Sequence, residues 1–173
     1  PMDYTLAQDM IMAAECAGSE AIIRVPLIDE AYILRALDIG ASGIIVPQIQ
    51  DLEDRKKTIS YSKFPPAGMR GFNPYVRAGA YNNRGSAYFK EQNDKILVGL
   101  ILEGINAIND IEKIIDDPNV DMVYIGTYDL SAALGVPGEV KSKIVTDALE
   151  NAVKKIRAKG KAAGCMVHNA EDF

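Results

Sequence analysis

Three charged residues of this 173-residue chain stand where carbonyl chemistry could use them. Arg24 closes the short run Ala21-Ile22-Ile23, and Glu103 closes Ile96–Leu102. Asp129 lies just past Asp121–Ile125, in Gly126-Thr127-Tyr128-Asp129-Leu130. If these runs are parallel strands, the three residues gather at carboxyl-terminal strand ends, where α/β proteins place their sites. Two carboxylates cannot fill an octahedral shell. They leave positions open for water and a chelating substrate, which is how Mg²⁺ is usually held. A fixed arginine nearby would neutralise a developing oxyanion. Zn²⁺ suits the pattern less, because the chain has one histidine and no cysteine pair at these positions. A plainer reading stays open at this level: Glu103 is a lone exposed carboxylate, and Asp129 is a helix cap ahead of Leu130-Ser131-Ala132-Ala133. Of the remaining strand ends, Val46-Pro47-Gln48 carries no charge and the last run ends near His168-Asn169.

The elements that must position these residues follow from the hydrophobic pattern. Leu6, Met10, Ala13, Ala14 and Ala17 recur at helical spacing, with Gly18 as a stop. Asp29 caps a helix with Ile33, Leu34 and Leu37 on its apolar face, ended by Gly40. Gly43–Pro47 reads as a strand and residues 51–60 as a charged helix beginning at Asp51. Ile108, Ile111, Ile114 and Ile115 mark a helix over 106–116, and residues 142–159 a long amphipathic helix stopped by Gly160. Ala162–Val167 closes the series. Strands that are apolar throughout are buried on both faces, and strand–helix alternation implies right-handed βαβ units in a parallel sheet. An open doubly wound sheet and a (β/α)8 barrel both fit. No GxGxxG or GxxxxGK[ST] occurs, so dinucleotide and P-loop sites have no support. Residues 61–94 interrupt the rhythm with Pro65-Pro66, Pro74 and many aromatics, among them Phe64, Phe72, Tyr88 and Phe89. Such a segment reads as a packed active-site loop rather than disorder.

Composition bounds the partners. The apolar fraction of 48% suits an ordinary globular chain, expected here as one domain over residues 1–173. Nineteen basic residues face 24 acidic ones, which argues against nucleic acid. No apolar run approaches the ~18 residues of a membrane span. Cys16 and Cys165 sit among small apolar residues and read as buried free thiols, and with no signal-peptide pattern at Pro1-Met2-Asp3-Tyr4 the cytoplasm is the expected compartment.

Longer stretches resemble the HpcH/HpaI aldolase family. They are Ile23-Arg24-Val25-Pro26, Leu37-Asp38-Ile39-Gly40-Ala41, Gly43-Ile44-Ile45-Val46-Pro47, Pro65-Pro66-Ala67-Gly68-Met69-Arg70-Gly71 with Arg77-Ala78, Ile101-Leu102-Glu103, and Gly126 through Gly135. The resemblance covers essentially the whole chain. It implies an α/β fold, a partial (β/α)8 TIM barrel of the phosphoenolpyruvate/pyruvate superfamily type with about strands 3–7 present. It implies a class II pyruvate aldolase cleaving a 4-hydroxy-2-oxo acid to pyruvate and an aldehyde. The matching positions assign a divalent metal (Mg²⁺, Mn²⁺ or Co²⁺) to Glu103 and Asp129, acting as a Lewis acid on the enolate. They assign oxyanion stabilisation to Arg24, and substrate binding to Arg24 and to the loop Gly126, Thr127, Tyr128 and Asp129, whose backbone N–H groups would hold the pyruvate carboxylate. Asp38 matches the acid that orients the family's catalytic histidine; its alternative is a last-turn surface residue. Arg70 and Arg77 either bind an acidic substrate or brace their loop. Full-length relatives are expected to be homo-oligomers. A Schiff-base mechanism is disfavoured, because no lysine falls within a barrel strand.

Three departures qualify the resemblance. The family's histidine base is expected just before Pro1, and the sole histidine, His168, matches no family base and reads as a loop residue. Ile101 stands where the family often has glutamine, which removes a substrate hydrogen bond. Tyr128 is bulky where the family has a small residue. These departures keep two alternatives open, a citrate-lyase-β-like enzyme acting on an acyl-CoA and a non-catalytic metabolite-binding barrel. A (β/α)8 barrel needs ~250 residues, so the chain is expected to be a fragment with unpaired edge strands that alone lacks aldolase activity.

Overall fold

The computed structural model describes residues 3–167. The chain divides into two compact units, Pro1–Val46 with Lys56–Val98 and Pro47–Arg55 with Gly99–Phe173. The five strands among the described residues are parallel wherever their register is defined, in an α/β arrangement.

The first unit opens with α1 (Tyr4–Cys16), whose cap Asp3 accepts a hydrogen bond from Leu6 N at 2.8 Å. Its buried residues are Ala7 and Ile11, one turn apart. The helical spacing read from the sequence holds, although two of its apolar residues face outward, Leu6 at 50% and Met10 at 56% exposed. The alanines that surround the stripe are compatible with either orientation, so the pattern alone fixes the helix but not its rotation. Cys16 is exposed and Cys165 half-buried, so neither is the buried thiol expected. Five residues beyond Ile11, Cys16 has rotated well off the buried stripe.

Strand β1 (Ile22–Arg24) leads to α2 (Glu30–Asp38). Asp29 caps that helix by accepting from Ala31 N and Tyr32 N at 2.9 and 3.1 Å, and Ile33, Ala36 and Leu37 bury its face. Strand β2 (Gly43–Ile49) pairs parallel with β1, Ile23 opposite Ile44. Gly43 is required by close approach: a Cβ there would lie 2.8 Å from Leu97 O. Helix α3 (Leu52–Ser62) starts at Asp51, whose Oδ1 accepts from Glu53 N and Asp54 N. The segment that follows is packed, as its aromatics indicate. Asn93 bonds the Phe64 backbone twice, at 2.7 and 2.9 Å. The Phe64 ring meets Phe89 edge-on at 5.0 Å and Tyr88 at 5.9 Å. A 3₁₀ segment (Arg77–Asn82) and α4 (Ala87–Lys95) complete this unit.

The second unit carries most of β3 (Leu97–Leu102), then α5 (Ile105–Asn109), α6 (Ile111–Ile114), β4 (Met122–Ile125), α7 (Thr127–Ala133), α8 (Lys143–Ala158) and β5 (Ala162–Cys165). Within it the strand order is β2-β3-β4-β5. The helix expected over 106–116 is two helices, parted at Asp110, whose ψ of 14° is not helical. With that break Ala107, Ile111, Ile114 and Ile115 are all buried. Helix α8 packs Val145, Ala152 and Ile156 inward and touches α6, α7 and β5. Among the described residues no helix is long and apolar enough to cross a membrane.

Ile156 is fully buried. Its replacement by alanine is expected to cost about 2–5 kcal/mol of stability, read by urea denaturation.

Candidate active site

Parallel pairing decides which polar residues meet in the second unit. Leu102 stands opposite Ile125, so the next residues, Glu103 and Gly126, face each other just past the strand ends. The ladder continues there through Gly126 N donating to Leu102 O at 3.2 Å. A Cβ added at Gly126 would lie 3.1 Å from Asp129 Oδ2 and 3.4 Å from Glu103 Cγ. Both carboxylate side chains therefore border the same small volume over a residue that has no side chain of its own. Neither has a hydrogen-bond or ion-pair partner among the described residues. Glu103 is half-buried and Asp129 exposed.

Helix α7 presents Asp129. Its cap is Gly126, and Asp129 is the third helical residue, so the alternative of Asp129 as cap falls. Ser131 is fully buried and ties the turn down: its Oγ donates to Tyr128 O at 2.6 Å and accepts from Gly138 N at 2.9 Å. Thr127 is buried, and Tyr128 is 47% exposed. Because Gly126 N is already engaged, the backbone donors left to the loop begin at Thr127. The structure adds Gln50, which the sequence reading passed over. A Cβ on Gly104 would lie 2.0 Å from Gln50 Oε1, so this side chain rests on the backbone immediately after Glu103. Its signal was a polar residue just past β2, overlooked because it is uncharged.

Among the described residues no three His, Cys, Asp or Glu side chains cluster. The donor set at Gly126 is thus two carboxylates, all oxygen. Such a set suits a hard divalent cation that keeps water or substrate oxygens in its other positions. His168, read as a loop residue, lies outside the described residues.

In the first unit, Arg24 ends β1 and is exposed, on the wall of a cleft of about 850 Å³ that Tyr4, Met10 and Ile22 also line. Asp38 ends α2, but it is not the surface residue of the plainer reading. Its carboxylate, 12% exposed, accepts from Arg70 Nη2 at 2.9 Å, and the Arg70 side chain is fully buried. Burial pushes the Asp38 carboxyl above its ordinary value of 3.8, against the opposing hydrogen bond and charge of Arg70. Arg77 bonds Glu15 and the Ile39 carbonyl. Both loop arginines are therefore engaged with groups of the first unit, Arg70 with Asp38 and Arg77 with Glu15.

Comparison with known proteins gives one family. The model of the HpcH/HpaI aldolase/citrate lyase family matches residues 3–172. A 4-hydroxy-2-oxo-heptane-1,7-dioate aldolase of Salmonella arizonae is 34% identical over 151 residues, 87% of this chain and 57% of that protein. The Salmonella dublin enzyme of the same name is 32% identical over 169 residues, 98% of this chain and 64% of that one. The chain thus spans less than two thirds of these relatives' length. The crystal structure of an HpcH/HpaI aldolase from Desulfitobacterium hafniense superposes with a TM-score of 0.89 at 28% identity, covering 99% of this chain and 66% of that one.

Two outcomes are expected. Ser131→Ala removes both bonds that hold the α7 turn, each worth about 0.5–1.5 kcal/mol, and should cost about 1–3 kcal/mol in denaturant titration. Asp38 should titrate above the ordinary aspartate value when followed by carboxyl NMR. Its folded form keeps the proton to higher pH than the unfolded chain. Its contribution therefore favours folding most at low pH and declines as pH rises from 3.8 through the raised value.

Proposed function

Since the chain belongs to the HpcH/HpaI aldolase/citrate lyase family, we propose that it works in a divalent-metal-dependent aldolase that cleaves a 4-hydroxy-2-oxo acid to pyruvate, or a close analogue, and an aldehyde. The observation that carries this reading is the pair of unpartnered carboxylates, Glu103 and Asp129, bordering Gly126. The residues fit Mg²⁺, Mn²⁺ or Co²⁺, with Glu103 and Asp129 as the protein's ligands. Bound there, the cation would supply Lewis acidity to the 2-oxo group.

The chain's own residues take the remaining roles. The substrate carboxylate is received by backbone N–H groups of the turn Thr127–Asp129, with Gly126 leaving room beneath it. Loss of the 4-hydroxyl proton breaks the C3–C4 bond, releases the aldehyde, and sends the electron pair to the 2-oxo oxygen as a pyruvate enolate. Arg24 supplies a fixed positive charge to that oxygen. The enolate is then protonated at C3 to give pyruvate. Asp38 takes the place of the acid that orients the family's catalytic base, which takes the hydroxyl proton. Tyr128 shapes the mouth, and Ile101 leaves the floor below Glu103 without a hydrogen-bonding group. The names of the curated relatives favour small oxo-acid substrates over an acyl-CoA. The reading places the protein in the cytoplasm as a homo-oligomer, and the excess of acidic over basic residues supports the absence of a nucleic-acid partner.

The test is metal binding together with turnover. Glu103→Gln and Asp129→Asn should each weaken Mn²⁺ binding, followed by electron paramagnetic resonance, by more than about tenfold. In the full-length protein, dialysis against EDTA should abolish pyruvate release in a lactate-dehydrogenase-coupled assay, and Mn²⁺ should restore it. Full activity after metal removal would refute the reading.

A further inference from the structure

Arg70 is the largest fully buried side chain of the fold, and its surroundings are unusual for a charge. Its guanidinium stacks on the Phe64 ring, Cζ 4.4 Å from the centroid. Its Nη2 donates to Asp38 Oδ1 at 2.9 Å, whereas Nε and Nη1 meet no hydrogen-bond partner among the described residues. Tyr88, also fully buried, lies close by on α4 with its hydroxyl toward Arg70. A buried guanidinium with one anionic partner directs its charge at that partner. Leaving two of its donor groups unpaired is costly, so a purely structural need would be met better by an apolar side chain of similar volume.

We propose that Arg70 is a positioning residue of the reaction: through its ion pair it fixes the Asp38 carboxylate in one orientation and keeps it ionised, so that Asp38 can orient the base. The proposal rests on the aldolase reading for the role of Asp38. Its geometry belongs wholly to the first unit. The groups facing Asp38 are Arg70 from the loop after α3, Tyr88 from α4, and Arg35 from its own helix. Of these, Arg70 alone donates a hydrogen bond to the carboxylate among the described residues. Phe64 clamps the guanidinium plane, so the planar fork cannot turn away from Asp38. The segment 63–76 thereby acts on Asp38 from 32 residues away along the chain. Tyr88 faces the Arg70 guanidinium and, among the described residues, donates no hydrogen bond to Asp38, which leaves the orientation of the carboxylate to Arg70.

The experiment is a carboxyl NMR titration of Asp38 in the unmodified protein, Arg70→Met and Arg70→Lys, with near-ultraviolet circular dichroism to establish folding. Removing the cation should raise the Asp38 midpoint by about 1–3 pH units. Arg70→Lys keeps the charge and should move it less, which provides the reading if Arg70→Met does not fold. In the pyruvate-release assay the acidic limb of the kcat profile should move to higher pH with Asp38, while KM stays within about twofold. A brace without this role would lower stability and leave the limb in place. An Asp38 midpoint unmoved in the folded variants overturns the proposal. Absence of pyruvate release from the full-length protein with every divalent ion would instead refute the aldolase reading, and would leave the Asp38 titration to decide whether Arg70 controls that carboxylate.

Discussion

The candidate site depends on strand register. Parallel pairing puts the carboxyl ends of β3, β4 and β5 on one side, and the match of Leu102 with Ile125 sets Glu103 against Gly126. A shift of one residue would send Glu103 to the opposite face of the sheet, because side chains alternate along a strand. The register is held by apolar residues that take no part in chemistry. Leu100, Leu102, Val123 and Ile125 are all fully buried. The acidic pair can therefore stay unneutralised at its place, because its position is set by packing beneath it and not by a salt bridge beside it.

Several carboxylates outside the site are matched by cations: Asp117 by Arg55, Glu112 by Lys155, Asp116 by Lys159, Glu15 by Arg77. Glu103 and Asp129 have no such cation among the described residues. Two like charges beside one another repel, and removing that repulsion is part of what a bound cation would contribute. The same economy is visible at Gly126 and Gly104, where the absent Cβ makes room for Asp129 and for Gln50.

Much of this was legible in the sequence, and the parts that were not share a cause. Apolar runs such as Leu97–Leu102, and caps such as Asp29, are local signals, and they located the strands and α2 correctly. Motif order carried the family. What escaped was information held by distant residues. The rotation of α1 is decided by what Ala7 and Ile11 pack against, and alanine-rich surroundings hide it. The break at Asp110 has no glycine or proline to announce it. The partner of Asp38 lies in a loop whose two arginines looked alike, and only the fold separates the one at Asp38 from the one at Glu15. Gln50 was missed because attention to charge at strand ends overlooks an amide.

The bonds of Ser131 have a consequence for how this surface can vary. Residues 134–142 form an exposed turn between α7 and α8, the kind of connection that ordinarily tolerates insertions. Here the turn is measured. Gly138, with φ +84°, offers its N–H to a serine seven residues earlier, and that serine holds the carbonyl of Tyr128 at the lip of the site. An added residue between Ser131 and Gly138 would break this link even though it touched no acidic group. The spacing of the turn is thus as much a part of the site's inheritance as the residues that face it, and drift in its length should be rarer than drift in its composition.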